Sequence, residues 1–294
     1  MQDMISLVSQ IAVITIDGLA LGLQLALIAV GITIIFGLGE ILNISHGEFA
    51  VLTSIVAVLL SPSMGLVLAI LTGLAASIIL GIFTYKLVLR PAFNLAGDER
   101  ILAGLFLTLG LYLTLSGYFT NQFPTIFLSI KAPISIIGLG GITFRFSSVL
   151  SAAISVALLL SLGFFLKWTS VGKAIRATAQ NEVGAEISGV PIDNIRLLTF
   201  IIGSLLAGSA GVARAMSASV GPGVGIELTI LALLVSVVGG IRSIFGTIVA
   251  GVMLGVIYTL TAYVVGAYFS NIMMLVAASL TILLRPEGIL GETE

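Results

Sequence analysis

Asn43, His46 and Glu48 bring an amide, an imidazole and a carboxylate together within six positions of the chain. They lie in Leu38-Gly-Glu-Ile-Leu-Asn-Ile-Ser-His-Gly-Glu-Phe49, which also carries Glu40 and Ser45 and interrupts an otherwise apolar region. Polar and ionisable groups at membrane depth are costly, so they usually face a cavity, a partner or the interface. A helix ending near Gly39 and another starting near Asn43 or Ser45 would set Glu48 in a first turn, where a carboxylate suits the helix dipole. Two readings stay open: the three residues line or gate a solute pathway, or they form a capped turn at the cytoplasmic interface with His46 hydrogen-bonded locally. Catalysis and metal binding fit poorly. The chain has one histidine and no cysteine, and no nucleophile stands beside a base, so no catalytic, cofactor-binding or metal-ligating residue is assigned.

The second chemically distinctive stretch is the longest polar one, Lys167 to Arg196. Ser170 reads as an N-cap, followed by a short helix over Val171 to Gln180 with Lys173 and Arg176 on one side. A second short helix runs from about Glu182 to Ser188. Gly189 can end it in the left-handed conformation, Pro191 prevents its continuation, and Asp193 or Asn194 can cap the next span. Such a pair of short helices reads as a docking element, against the plainer reading of a solvated linker. Gly172-Lys173 is not a nucleotide-binding loop, because Lys167 stands where the first glycine is required and Ala174 replaces Ser or Thr.

The elements that must carry these segments are apolar and long. Of 294 residues, 59% are hydrophobic and 9% charged, with a mean hydropathy of +1.25, against about 25% charged in an ordinary soluble domain. Residues 18–39, 49–85, 101–130, 146–166 and 243–284 contain no Asp, Glu, Lys or Arg. A membrane helix needs about 20 residues, and these runs lack the alternation of a porin strand. We therefore expect an all-α, polytopic membrane bundle that forms a single domain over 1–294. About nine spans (8–10) are expected, near 18–39, 44–60, 64–85, 101–120, 147–166, 197–218, 226–241, 243–268 and 270–284. Residues 4–16 could be a tenth span, an interfacial helix or an extension of the first, and the short segments 44–60 and 226–241 could be re-entrant.

Alternating the loops puts Lys86, Arg90, Arg100, Lys167, Lys173, Arg176, Arg196, Arg242 and Arg285 on one side and Lys131, Arg145 and Arg214 on the other. The positive-inside rule then places Met1 outside and Glu294 in the cytoplasm. Met1 to Thr84 holds no Lys or Arg, so no basic region of a signal peptide is expected. A net charge of −1 gives no field to recruit nucleic acid. Small residues recur at four-residue spacing, at Gly18 and Gly22, at Gly203, Ala207 and Gly211, and at Gly251 and Gly255, which lets helices approach closely. Ile35-Phe36-Gly37 and Ile244-Phe245-Gly246 form a weak internal echo, as a duplicated transporter fold would give.

Ala26-Leu-Ile-Ala-Val-Gly-Ile-Thr-Ile-Ile-Phe-Gly37, Asn43-Ile-Ser-His-Gly-Glu48, Gly172-Lys-Ala-Ile-Arg-Ala177, Ala185-Glu-Ile-Ser-Gly-Val190, Leu198-Thr-Phe-Ile-Ile-Gly203, Ala207-Gly-Ser-Ala-Gly-Val212, Val238-Gly-Gly-Ile-Arg-Ser-Ile-Phe-Gly246 and Arg285-Pro-Glu-Gly-Ile-Leu-Gly291 run in order along nearly the whole chain. They resemble the permease subunits of branched-chain amino acid ABC importers, most of all the shorter, LivH-type permease. Urea and short-chain amide permeases share the framework. Arg242 and Phe245 depart from the family, which more often has a small residue and Pro there.

The resemblance implies a multi-pass protein of a prokaryotic cytoplasmic (inner) membrane, working with a second permease subunit, two cytoplasmic ATPases and an extracytoplasmic substrate-binding protein. It implies no enzymatic activity and no cofactor in this chain. Within 167–196 it marks Gly172, Lys173, Arg176, Glu182, Gly184, Ala185 and Gly189 as the ATPase-coupling segment, with Asn43, His46 and Glu48 as candidates for the pathway or its gate. The competing class is an ion-coupled secondary transporter, which would usually need intramembrane carboxylates, yet Asp17, Glu40, Glu48 and Glu227 fall near the expected span ends. An integral membrane enzyme is disfavoured by the lack of a marked base and nucleophile.

Overall fold

The computed structural model describes residues 2–124, 127, 129–130, 136–139 and 142–290. Met1, Lys131, Gly140, Gly291 and Glu294, on which parts of the expected topology rest, lie outside the described residues. The helices are α1 (Gln2–Gly39), α2 (His46–Met64), α3 (Leu66–Phe83), α4 (Gly97–Gln122), α5 (Phe146–Trp168), α6 (Ser170–Gln180), α7 (Glu182–Ile187), α8 (Ile192–Ser217), α9 (Val224–Gly239), α10 (Ile244–Val264) and α11 (Ala267–Leu284). A π-helical turn over Thr84–Leu89 prolongs α3. Eight of the helices are long and apolar enough to cross a membrane, and α9, with 16 residues, is a shorter apolar helix. The nine expected segments therefore each meet a helix. Residues 4–16 are an extension of α1, not a separate span.

One element departs from an all-helical fold. Strands β1 (Ile136–Leu139) and β2 (Ile142–Arg145) pair antiparallel between α4 and α5, with Ile136 opposite Arg145. The local sequence explains it: β-branched residues flank a Gly-Gly pair, which is hairpin chemistry and not helix chemistry.

Helix α1 is the axis of the bundle. Its side chains from Leu25 to Ile35 are almost wholly buried, and α5, α8, α9 and α10 all pack on it. Small residues allow this. A Cβ on Gly22 would lie 2.6 Å from the carbonyl oxygen of Gly251, and one on Gly203 would lie 2.7 Å from Ile35, so α10 and α8 approach α1 nearly backbone to backbone. α8 is likewise mostly buried, whereas α4 and α11 are largely exposed on the outside of the bundle. The three-residue echo is not placed equivalently: Ile35 lies near the end of α1 and is buried, whereas Ile244 opens α10, with Phe245 exposed.

The two ends of the bundle differ in charge. Arg100, Lys167, Lys173, Arg176, Arg196, Arg242 and Arg285 gather at the end that carries α6 and α7. Arg145 lies at the other end, joined to Asp17 at 2.5 Å, and Arg214 lies in the last turn of α8 there. Seven of the nine basic residues expected on one side thus share the α6 end, and Arg145 and Arg214 lie at the other, Lys131 being outside the described residues.

Candidate functional site

The chain after α1 turns back into the bundle. Glu40 adopts a left-handed backbone (φ 51°), and its amide closes onto Phe36 O at 2.8 Å. Gly39 packs on Phe93, just before α4 begins, so the end of α1 and the start of α4 are level. From there the segment runs along α4, Ile41 against Gly104 and Ile44 donating its amide to Thr108 Oγ1 at 3.0 Å. The Thr108 hydroxyl reaches Leu42 O at 3.2 Å. By His46 the chain is beside Gly31, where a Cβ would lie 2.7 Å from the imidazole Nε2. Gly31 precedes the end of α1 by about 12 Å of helix rise, so α2 starts deep within the bundle and runs toward the far end.

Helix α9 starts in the same place from the opposite direction. After α8 ends at Ser217, which meets Gln24 of α1 at 3.1 Å, the chain returns through Gly223 (φ 88°) into the first turn of α9. There the amide of Gly47 donates to Thr229 Oγ1 at 2.8 Å, and the same hydroxyl donates to Gly225 O at 2.9 Å. A Cβ on Gly225 would collide with the Glu48 carboxylate, so this side chain lies over the first turn of α9 while sitting in the first turn of its own helix. Two positive helix ends converge on one carboxylate.

Asn43, His46 and Glu48 are each at most 1% exposed. Asn43 Oδ1 accepts from the Ser45 amide at 3.0 Å and the Ser45 hydroxyl at 2.7 Å, but among the described residues Asn43 Nδ2, both nitrogens of His46 and both oxygens of Glu48 make no hydrogen bond of normal geometry. His46 meets Phe49 edge to face at 5.5 Å. His46 is therefore buried and not hydrogen-bonded within its own turn, and Ser45 gives α2 no side-chain cap. Buried polar groups are normally satisfied, which sets this cluster apart from the rest of the bundle.

The coupling segment forms a compact elbow at the basic end. Thr169, not Ser170, caps α6, its Oγ1 accepting from the Gly172 amide at 2.9 Å. Both types can cap, and the extended backbone falls on Thr169. Gly172 lies directly on the Leu166 backbone, which folds α6 back against α5. Lys173 and Arg176 are both exposed, and the Arg176 guanidinium also donates back to Leu166 O. Asn181 caps α7 through Gly184 N at 2.8 Å. Ala185 is buried, while Val183 and Ile187 are exposed apolar residues. Gly189 (φ 86°) ends α7 as expected. Neither Asp193 nor Asn194 caps α8: Asp193 instead accepts from Tyr85 Oη at 2.5 Å, tying α3 to α8.

Glu182 anchors this elbow to the spans. Its carboxylate pairs with Arg196 of α8 at 2.6 Å and stands 3.8 Å from Arg100 of α4, and the Arg196 guanidinium lies 4.4 Å from the Phe93 ring centre. Sequence reasoning singled out Glu182 but not Arg196, Arg100 or Thr229. Their roles depend on contacts between residues far apart in the chain, and only the positive charge of the arginines was a signal.

The family described as the branched-chain amino acid transport system / permease component matches residues 14–284. The high-affinity branched-chain amino acid transport system permease protein BraD of Pseudomonas aeruginosa is 31% identical over 95% of each chain. The LivH permease protein of Escherichia coli is 25% identical over 95% of this chain and 94% of its own. An L-arabinose ABC transporter permease protein of Azospirillum brasilense is 28% identical over 82% of this chain and 70% of its own. The apolar helices, the deep polar turn and the helical elbow thus belong to a multi-pass membrane transport subunit, and the chain is a member of the branched-chain amino acid transport system permease family.

Proposed function

We propose that this chain is a pathway-forming subunit of an ATP-driven importer for branched-chain, neutral amino acids in a prokaryotic inner membrane, with the α6 end in the cytoplasm. The observation that carries this reading is the helical elbow. α6 and α7 project from the spans, expose Val183 and Ile187, and connect inward through Glu182–Arg196 to α8. That suits a surface on which a cytoplasmic ATPase pushes, with α8 carrying the displacement to Gly203, which packs on α1 beside His46. A second permease, two ATPases and an external binding protein complete the machine. The unpartnered groups of Asn43, His46 and Glu48 serve the pathway or its gate, where the first turns of α2 and α9 separate or close. The meeting of two oppositely directed half-helices also favours an internally repeated transporter architecture.

The test is Gly184→Trp in the assembled complex. A Cβ on Gly184 already approaches the Asn181 side chain at 3.2 Å, so a bulky residue disturbs the α7 cap without touching the bundle core. Inserted protein with lost ATPase co-purification and lost leucine uptake is the expected result. Full retention of both would reduce the elbow to a linker. Leucine uptake by vesicles holding the unsubstituted chain, under an ion gradient without ATP, would favour the secondary-transporter reading instead.

A further inference from the structure

A cavity of about 650 Å³ opens at the α6 end, between α6 on one side and the end of α1, the start of α10 and the turn after α11 on the other. Its apolar walls come from Ile34, Leu38, Ile175, Ile244 and Leu290. Its charged groups are of both signs. Arg242 is already neutralised by Glu40 at 2.9 Å. Arg176 and Glu287 remain, and neither forms an ion pair among the described residues. Arg176 spends only part of its donor capacity on Leu166 O, since a guanidinium carries five N–H groups. The backbone after Glu287 is fixed in a turn, and its side chain is exposed at the cavity: Gly288 (φ 89°) lies against the Gly240 backbone, and Ile289 donates its amide to Val238 O at 2.8 Å.

One available cation, one available anion and an aliphatic wall are complementary to a zwitterion with an apolar side chain. They are poorly matched to a multiply charged anion such as a nucleotide, which would meet Glu287. We propose that this cavity is a second solute site, binding a free neutral α-amino acid from the cytoplasm, its carboxylate toward Arg176 and its ammonium toward Glu287. Bound there, the amino acid bridges α6 to α1 and α10 and opposes the movement of α6 that ATPase closure requires. Accumulated solute then slows its own import. The choice of solute rests on the function proposed above, whereas the both-signed cavity does not. A ligand that binds one arrangement of these walls better than another shifts the equilibrium by that difference alone.

The experiment uses the complete complex in proteoliposomes, with binding protein and leucine outside, ATP in the lumen, and the lumen either free of amino acid or loaded with leucine at about 10 mM, well above a millimolar dissociation constant. Luminal leucine should lower the initial uptake rate by at least about fivefold, within the usual range of site-to-site coupling. Glu287→Gln and Leu290→Trp should import normally into empty vesicles and lose the slowing. Luminal 4-methylpentanoate or 3-methylbutylamine, each lacking one of the two charges, should leave uptake unchanged. The slowing should be the same in phosphatidylcholine vesicles with or without phosphatidylglycerol. Intact uptake that ignores luminal leucine, equal slowing in both variants, or slowing by the single-charge analogues overturns the proposal, as does slowing that requires phosphatidylglycerol, which would mark a lipid site. No leucine uptake into empty vesicles would instead defeat the importer reading itself, and this inference with it.

Discussion

The amide of Gly47 and the hydroxyl of Thr229, 182 positions apart, are joined at 2.8 Å and hold the first turn of α2 against the second turn of α9. First-turn amides have no partner inside their own helix, so Thr229 supplies what α2 cannot. Thr229→Val keeps the shape and removes the acceptor, leaving a buried amide unsatisfied at a cost of about 1–3 kcal/mol. The thermal unfolding midpoint in detergent should fall, and Thr229→Ser should largely restore it. An unchanged midpoint in the valine variant would mean that the two half-helices are held by packing alone.

The position of Glu48 against α9 yields a coupled pair. Gly225→Ala drives a methyl group into the carboxylate and should destabilise the protein by about 1–3 kcal/mol. Glu48→Ala vacates that space, so the double variant should recover part of the loss, with an interaction energy of about 0.5–3 kcal/mol in a double-mutant cycle. Strict additivity would place the carboxylate elsewhere.

Arg196 offers a test of transmission. It combines an ion pair to Glu182 at 2.6 Å with stacking over Phe93 at 4.4 Å, and a lysine cannot reproduce the planar half of that arrangement. Arg196→Lys and Arg196→Gln should both retain ATPase binding while lowering solute uptake per ATP hydrolysed. Wild-type stoichiometry in both variants would remove the pair from the transmission route.

Orientation is open to direct labelling, because the chain contains no cysteine. Thr178 faces inward from α6 and would label poorly, whereas Ala177 beside it is exposed. A membrane-impermeant thiol reagent should modify Ser63→Cys from outside in sealed cells and Ala177→Cys only after the membrane is opened. The reverse pattern would invert the assigned topology.

The spans were legible because burial in lipid is written as long charge-free runs, and the Gly22–Gly251 and Gly255 contact because helices that meet this closely tolerate only small residues. The depth of the Asn43–Glu48 turn was not legible. A polar interruption reads the same whether it ends at an interface or dives along α4, and the distinction comes from Gly104 and Thr108, some sixty positions away. The bond from Arg176 to Leu166 O was hidden for a similar reason: helical spacing puts Arg176 near Lys173, but the carbonyl ten positions back that it reaches belongs to α5. The β1–β2 pairing is written only in short Ile-Ile and Gly-Gly signals, inside a stretch as apolar as the spans on either side.

The central place of α1 also sets the order in which this chain can be completed during synthesis. α1 leaves the ribosome well before α10, yet the surface of Gly18 and Gly22 that it offers is covered by Gly251 and Gly255 of α10. At a translation rate of about 5–20 residues per second, the roughly 230 intervening residues take about 10–45 s to appear. Throughout that interval the axis of the bundle stands in the membrane with an uncovered backbone stripe, open to insertion factors, to lipid or to a quality-control protease. A chain truncated before Ser243 would never close that stripe, and its half-life, more than its insertion, is the quantity that would register the loss.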